Sequence, residues 1–196
     1  MRIIGGTVRG RRLQTPSKST AKFASKAVIR PTADRAREAL FSIIGREVEN
    51  ATVLDLFAGT GALGLEALSR AAHRAVFVDI SPEAVLIINK NIEICGFSDR
   101  AAVLKRDLSK GLYVLEKQLP ETLFSIVFID APYRKGLSEK ILRETAEGNI
   151  LSTDALVVVE EDALTEMVSN VTGLNLVDRR HYGDTGFWFY RKVNPK

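Results

Sequence analysis

The chain has 196 residues, of which 45% are apolar and 27% are charged, enough for one globular domain or a domain with a small appendage. No apolar run reaches the roughly 20 residues of a membrane-spanning helix, and the N-terminus lacks the apolar stretch of a signal peptide, so a cytoplasmic location is expected. The single Cys95 excludes an internal disulfide and a thiolate metal cluster, and no metal site is expected.

The net charge of +4 is unevenly distributed along the chain. Residues 1–33 contain eight cations and no acid, whereas the remainder carries 20 cations and 24 acids. This division predicts a basic N-terminal arm over residues 1–30, attached to an acidic domain over residues 31–196. Such an arm can neutralise the phosphates of a nucleic acid, and a solvated tail without a partner is the alternative interpretation.

In chain order, residues 1–13 predict a small hairpin, residues 14–28 a flexible connection, and a helix begins at Pro31 and ends before Gly45. Beyond this helix, strands alternate with helices. The predicted strands are 52–56, 75–79, 101–105, 124–130 and 155–160. The predicted helices between them are 62–70, 82–94, 108–118 and 137–147. This alternation predicts a doubly wound α/β fold with a parallel sheet and right-handed crossovers.

The C-terminal end breaks the alternation. Residues 174–180 and 185–191 are two extended segments with no room for a helix between them, which predicts an antiparallel hairpin. Five parallel strands followed by such a hairpin resemble the seven-stranded, Rossmann-like sheet of class I methyltransferases, whose strand order is 3-2-1-4-5-7-6. The resemblance implies that fold for this chain.

A glycine-rich loop follows the first predicted strand. Residues 59–64 read Gly-Thr-Gly-Ala-Leu-Gly, and Asp79 ends the next strand. Such glycines let the backbone approach a nucleoside cofactor, and the distal carboxylate accepts hydrogen bonds from ribose hydroxyls, although glycine-rich turns also occur for packing alone. Asp55 favours S-adenosylmethionine over a dinucleotide, because a carboxylate there suits an ammonium group better than a pyrophosphate. The chain also lacks a second domain for a dehydrogenase substrate.

A second candidate site follows the most apolar strand. Residues 130–133 read Asp-Ala-Pro-Tyr and lie at the carboxyl edge of the predicted sheet, where ligands bind in such folds. Asp130 can accept a hydrogen bond from an exocyclic amino group and orient the nitrogen toward a methyl donor. Tyr133 can stack on a base that is pulled out of its helix. A strand-ending Asp and a Pro-containing turn without a catalytic role is the alternative.

Several longer segments resemble one bacterial family. Residues 130–133 are similar to the (Asp/Asn)-Pro-Pro-(Tyr/Phe) signature of methyltransferases that act on amino nitrogens. Residues 29–41 and 53–70, with the opening Arg-Ile-Ile-Gly-Gly at 2–6 and the Tyr-Gly-Asp-Thr at 182–185, resemble the RsmD family. That family consists of guanine-N2 methyltransferases of small-subunit 16S ribosomal RNA. The similarity spans nearly the whole chain.

The resemblance implies roles for individual residues. The expected S-adenosylmethionine site consists of Asp55, Phe57, Ala58, Gly59, Thr60, Gly61, Asp79, Ile80, Asp107 and Leu108. In it, Asp55 faces the methionine end, Asp79 faces the ribose, and Asp107 lies near the adenine amino group. Asp130, Pro132 and Tyr133 form the target-base site. S-adenosylhomocysteine is the expected product.

The resemblance also implies that ribosomal RNA is the partner, within the small ribosomal subunit or its assembly intermediate. The residues expected to contact the RNA are Arg2, Arg9, Arg11, Arg12, Arg30, Arg35 and Arg37. The basic arm is expected to order when it binds.

One residue departs from the family pattern, because Ala131 stands where a Pro is expected. The backbone carbonyl is retained but the rigidity that Pro imposes is lost, so we expect a functional but less preorganised site. Two other functions stay open on the sequence. One is N6-adenine methylation of DNA or RNA, and the other is an inactive RNA-binding ribosome assembly factor that retains the fold.

Overall fold

A computed structural model of the protein describes residues 1–16, 31–119, 122–133 and 136–193. The strands are β1 Thr52–Leu56, β2 Arg74–Asp79, β3 Ala101–Lys105, β4 Phe124–Ile129, β5 Leu151–Asp162, β6 Asn170–Val171, β7 Leu174–Tyr182 and β8 Thr185–Lys192. Within these residues they form one sheet in the order β3-β2-β1-β4-β5-β8-β7-β6. The first five strands pair in parallel, whereas β8, β7 and β6 pair antiparallel.

This order confirms the predicted class I arrangement, since β8 and β7 occupy the places of the seventh and sixth strands. The predicted count of seven strands was one too low. The additional strand, β6, has two residues and pairs antiparallel with the start of β7. Two residues are too few to show the alternation that marks a strand in a sequence.

The helices are α1 Pro31–Ile44, α2 Ala62–Ser69, α3 Pro82–Cys95, α4 Tyr113–Gln118 and α5 Leu137–Glu147. None of the helices in the described ranges is long and apolar enough to span a membrane. The prediction of one continuous helix over 108–118 was wrong, because the segment forms two separate helices. A short 3-10 helix covers Leu108–Lys110, and Gly111, with a φ of 105°, interrupts the backbone before α4 begins.

Apolar side chains cover both faces of the sheet. One cluster joins α1, α2 and α3 to residues such as Val53, Phe77 and Phe128, and the second joins α4 and α5 to residues such as Leu54 and Val127. The central strands β1 and β4 therefore contribute side chains to two cores. This burial explains why the sequence of β4 is almost unbroken in its apolar character.

The N-terminal segment, residues 1–16, packs against the same core. An antiparallel bridge between Arg2 and Arg12 closes the predicted hairpin, and Ile3 and Leu13 are buried in the cluster around α1–α3. The backbone N–H groups of Ile4 and Gly5 donate to the two carboxylate oxygens of Glu66 at 2.7 and 2.8 Å. These residues therefore share one core with the sheet. Most of the predicted connection over 14–28, and Arg30, lie outside the described residues.

Candidate active site

A cleft of about 200 Å³ opens at the carboxyl edge of the sheet, the edge at which the parallel strands end. The glycine-rich loop after β1 forms one wall, with Asp55, Phe57, Ala58, Gly59 and Thr60 among the lining residues. Residues from α1, β5 and β8 also line the cleft, together with Asp130 after β4. The fold thus brings the glycine-rich loop and Asp130, the first residue of the tetrapeptide, to one cavity.

The glycine-rich loop depends on glycine for two different reasons. Gly59 and Gly61 have φ values of 57° and 76°, a region in which L side chains are strained. Gly64 has no such requirement, but a Cβ there would lie 2.3 Å from Cε1 of Phe77 on β2. The first two glycines therefore shape the turn, and the third lets α2 pack closely on the sheet. Phe57 also has a positive φ, 61°, which is unusual for a bulky residue and marks strain at the cleft.

Asp55 is a buried carboxylate at the end of β1. Its Oδ2 accepts a hydrogen bond from the N–H of Gly64 at 2.9 Å, and within the described residues no cation pairs with it. Burial raises the pKa of Asp55 to about 7, and the negative charge of Asp79 adds to the shift. A ligand ammonium at this position would supply the missing positive charge, which fits the methionine end of S-adenosylmethionine.

Asp79 ends β2 at the same edge, and Ile80 follows it. The two carboxylate oxygens of Asp79 accept hydrogen bonds from the N–H groups of Gly59 and Ser81, both at 2.8 Å, which holds the carboxylate against the glycine-rich loop. Ile80 is 55% exposed. An exposed apolar side chain beside a fixed carboxylate fits a nucleoside, whose base has flat apolar faces and whose ribose carries hydroxyl donors.

Asp107 and Leu108 follow β3. Oδ1 of Asp107 accepts hydrogen bonds from the hydroxyl and the N–H of Ser109 at 2.6 and 3.1 Å, and the hydroxyl hydrogen bond is the main cause that lowers the pKa of Asp107. The carboxylate is therefore ionised and partly exposed. The side chain of Leu108 is buried in the core, so only its backbone can face a cofactor.

The tetrapeptide at residues 130–133 follows β4 directly. Asp130 lines the cleft, whereas Ala131 is buried and Pro132 is exposed. Burial raises the pKa of Asp130 well above its ordinary value, and the carboxylates of Glu160, Asp55 and Glu161 raise it further. The hydroxyl of Tyr133 donates to Oε1 of Glu160 at 2.8 Å. Burial is also the main reason why the pKa of Tyr133 is raised.

Glu160, on β5, lines the cleft and is not one of the site residues predicted from the sequence. In the pairing of β4 with β5, Ile129 lies opposite Val159, so Asp130 and Glu160 follow the paired residues on neighbouring strands. Burial raises the pKa of Glu160, although the hydrogen bond from Tyr133 and the charge of Arg37 oppose this shift. The signal in the sequence was the run Glu-Glu-Asp at 160–162, at the end of the strand after the tetrapeptide.

Arg37 lies inside the protein, which corrects its predicted role at the RNA backbone. The side chain is 6% exposed and lines the cleft. One guanidinium nitrogen donates to the carbonyl of Arg2 at 2.6 Å and to Asp34 at 3.1 Å, while Nε has no hydrogen-bond partner within the described residues. Burial lowers the pKa of Arg37. The N-terminal segment covers this face of α1, which the local sequence of α1 does not reveal.

The other described cations of the predicted RNA contact are at the surface. Arg2, Arg9, Arg11, Arg12 and Arg35 are all exposed. The N-terminal segment also reaches the cleft, because Met1 lines it and the sulfur of Met1 lies 3.3 Å from the hydroxyl oxygen of Thr60. A basic surface thus lies on the segment that forms part of the cleft rim.

Comparison with known proteins gives a match over nearly the whole chain. The family model described as "Conserved hypothetical protein 95" matches residues 1–191. Ribosomal RNA small subunit methyltransferase D of Escherichia coli (strain K12) is 31% identical over 192 residues, which are 98% of this chain and 90% of the relative.

Solved structures share the architecture. A hypothetical protein of Thermus thermophilus is 27% identical, with a TM-score of 0.74 over 96% of this chain and 98% of that chain. An RNA methyltransferase from Salinibacter ruber, solved in complex with S-adenosyl-L-homocysteine, has a TM-score of 0.62 at 16% identity, over 83% of this chain and 93% of that chain. At that identity the second likeness shows the fold alone.

Proposed function

The chain belongs to the conserved hypothetical protein 95 family, the RsmD family, and we propose that it methylates the N2 amino group of a guanine in small-subunit ribosomal RNA. The chain is a methyltransferase and its cofactor is S-adenosylmethionine. The observation that carries the proposal is that the glycine-rich loop and Asp130 line the same cleft. A cofactor and an amino nitrogen can approach each other there.

The residues of the glycine-rich half fit the cofactor. Asp55 would hold the ammonium group, because it is a buried carboxylate without a cation among the described residues. Gly59 and Gly61 would give the backbone close access, and Asp79 with Ile80 would hold the ribose and the base. When bound, S-adenosylmethionine supplies a methyl group on a positively charged sulfur.

Asp130 would hold the amino nitrogen of the target base. Its carboxylate accepts one N–H of the exocyclic amine, and a backbone carbonyl of the tetrapeptide accepts the other, so the nitrogen lone pair is directed at the methyl group. A nitrogen–carbon bond forms as the sulfur–carbon bond breaks, which leaves S-adenosylhomocysteine, and the methylated amine then loses a proton to the Asp130 carboxylate that accepts its N–H. A strong base is unnecessary, since the proton leaves after the transfer.

The basic surface would hold the RNA. Arg2, Arg9, Arg11, Arg12 and Arg35 are exposed cations that can neutralise phosphates, and we propose that residues 1–30 act as an RNA-binding extension of the catalytic domain. The small subunit or its assembly intermediate is the proposed substrate, and the cytoplasm is the proposed location. The name of the Escherichia coli relative supports the small-subunit assignment.

The test is transfer of a labelled methyl group from S-adenosylmethionine to small subunits that lack the modification, followed by nucleoside analysis. We expect the label in N2-methylguanosine. Asp130→Ala should lower the transfer rate by about 100-fold, whereas Asp99→Ala, which removes an exposed carboxylate before β3 at the opposite edge of the sheet, should not.

Two outcomes would overturn the proposal. Label in methyladenosine would favour the adenine alternative. No label with the wild-type protein would favour an assembly factor that retains the fold without activity.

A further inference from the structure

Glu160 and Asp130 form a pair of acidic side chains on one wall of the cleft. They follow the paired residues Val159 and Ile129 on adjacent parallel strands, and such strands lie about 4.8 Å apart. On adjacent parallel strands, residues that lie opposite each other point their side chains to the same face of the sheet. Two carboxylates at this spacing can meet two neighbouring donors on the edge of one base.

One carboxylate oxygen of Glu160 is held in place by a hydrogen bond. Tyr133 donates its hydroxyl hydrogen to Oε1 at 2.8 Å, and in the described part of the chain this is the hydrogen bond that the Glu160 side chain accepts. Oε2 is therefore available to a ligand. Because Glu160 also lines the cleft, this second oxygen can accept a hydrogen bond from a ligand there.

The Watson–Crick edge of guanine suits this arrangement. It presents the N1–H and the N2 amino group side by side, and both are donors. Adenine has an unprotonated N1, which is an acceptor, beside its amino group. A flipped base is identified through hydrogen bonds to this edge. With Asp130 at the amino group, the neighbouring acceptor would meet N1.

We propose that Glu160 is a specificity-determining residue that selects guanine by accepting the hydrogen of N1–H, next to the amino group held by Asp130. The inference rests on the proposed function and extends it to the choice of base. A base whose N1 is an acceptor would place its lone pair against a carboxylate, and this repulsion rejects it.

The test compares guanine with 2,6-diaminopurine, which keeps the N2 amino group but has an unprotonated N1. Once the labelled nucleotide has been located, small subunits are reconstituted with RNA that carries either base at that position. The quantity measured is the ratio of kcat/KM for guanine to that for 2,6-diaminopurine. For the wild-type protein we expect a ratio of about 10 to 100, the discrimination of one well-placed recognition contact.

Glu160→Ala should bring this ratio close to one. Glu160→Gln should lower it further or invert it, because an amide N–H can face the unprotonated N1. The control is Glu161→Gln, a neighbouring buried acid whose Oε2 accepts from the hydroxyl of Ser138 at 2.8 Å. We expect this control to keep the wild-type ratio. Thermal unfolding identifies any variant that does not fold, and the near-isosteric Glu160→Gln then carries the test.

A ratio that stays at the wild-type value in the Glu160 variants, while both rates fall together, would overturn the proposal. Glu160 would then only position Tyr133. A wild-type protein that forms no N2-methylguanosine would instead overturn the proposed function, so the two failures are distinguishable.

Discussion

Asp55 is the residue at which burial and ligand binding are most directly linked, since burial raises its pKa to about 7. A ligand ammonium favours the carboxylate over the neutral acid. The affinity for S-adenosylhomocysteine should therefore increase as the pH rises from 6 through 7 and level off above it. Below pH 7, binding should release a proton from Asp55.

Isothermal titration in two buffers of different ionisation enthalpy measures both the affinity and the released proton. The control is Asp55→Asn, which keeps the shape and cannot ionise, so its weaker binding should vary little over this range. A wild-type affinity that is flat from pH 6 to 8 would show that Asp55 does not face the ammonium.

Ala131 is the residue at which this chain departs from the tetrapeptide of its family. A Pro there would restrict the backbone that carries the proposed acceptor carbonyl. A Pro that fits the native backbone typically stabilises the folded protein by about 0.4–1 kcal/mol, and we expect a similar gain in the transfer step. Ala131→Pro should accordingly raise the single-turnover rate of methyl transfer about two- to fivefold. Rapid-quench measurement at saturating cofactor tests this. An unchanged or lower rate in a folded variant would mean that flexibility at Ala131 does not limit the reaction.

Helix α2 packs closely on β2 at Gly64, the third glycine of the glycine-rich loop. A Cβ on Gly64 would approach the ring of Phe77 to 2.3 Å. Gly64→Ala should lower the free energy of unfolding by about 1–3 kcal/mol, the usual cost of overpacking, as measured by urea denaturation. Adding Phe77→Leu should recover part of the loss because it removes the ring. A single variant as stable as the wild type would contradict this packing.

Local signals predicted most of the elements. Ser81 and Gly96 mark the two ends of α3, and the structure shows the Ser81 side chain accepting from Ala84 at 3.3 Å and Gly96 in the left-handed region. The prediction failed for β6, whose two residues are too few to show a strand pattern. It also failed at Gly111, where a single residue interrupts the predicted helix.

Contacts between distant segments could not be predicted in this way. The burial of Arg37 depends on the carbonyl of Arg2 and the carboxylate of Glu66, which belong to other segments. The place of Glu160 beside the tetrapeptide depends on the register between β4 and β5. Asp55 could be predicted as a site residue because it lies close to the glycine-rich loop in the sequence.

Charged residues are unevenly distributed along the chain, because the N-terminal segment is basic and the rest of the chain is acidic. If Arg9, Arg11 and Arg12 neutralise phosphates, replacing all three with Gln should make the plot of log affinity for ribosomal RNA against log salt concentration less steep by about 2 to 3 units. Filter binding between about 50 and 200 mM salt measures the slope.

The matched control is Arg46→Gln, which removes an exposed cation before β1, at the opposite edge of the sheet. We expect it to leave the slope within experimental error of the wild type. Equal losses of slope from the control and from the N-terminal variants would mean that overall charge, and not the N-terminal surface, binds the RNA.

We propose that the cleft is divided, so that one half binds the cofactor and the other half binds the target amine. The most direct measurement compares Asp130→Ala with the wild-type protein in single-turnover methyl transfer to small subunits and, separately, in affinity for S-adenosylhomocysteine. We predict that the transfer rate falls by about 100-fold, the scale of a misplaced reacting group, while the affinity changes by less than about threefold. An undiminished transfer rate, or a parallel loss of cofactor affinity, would contradict this division of the cleft.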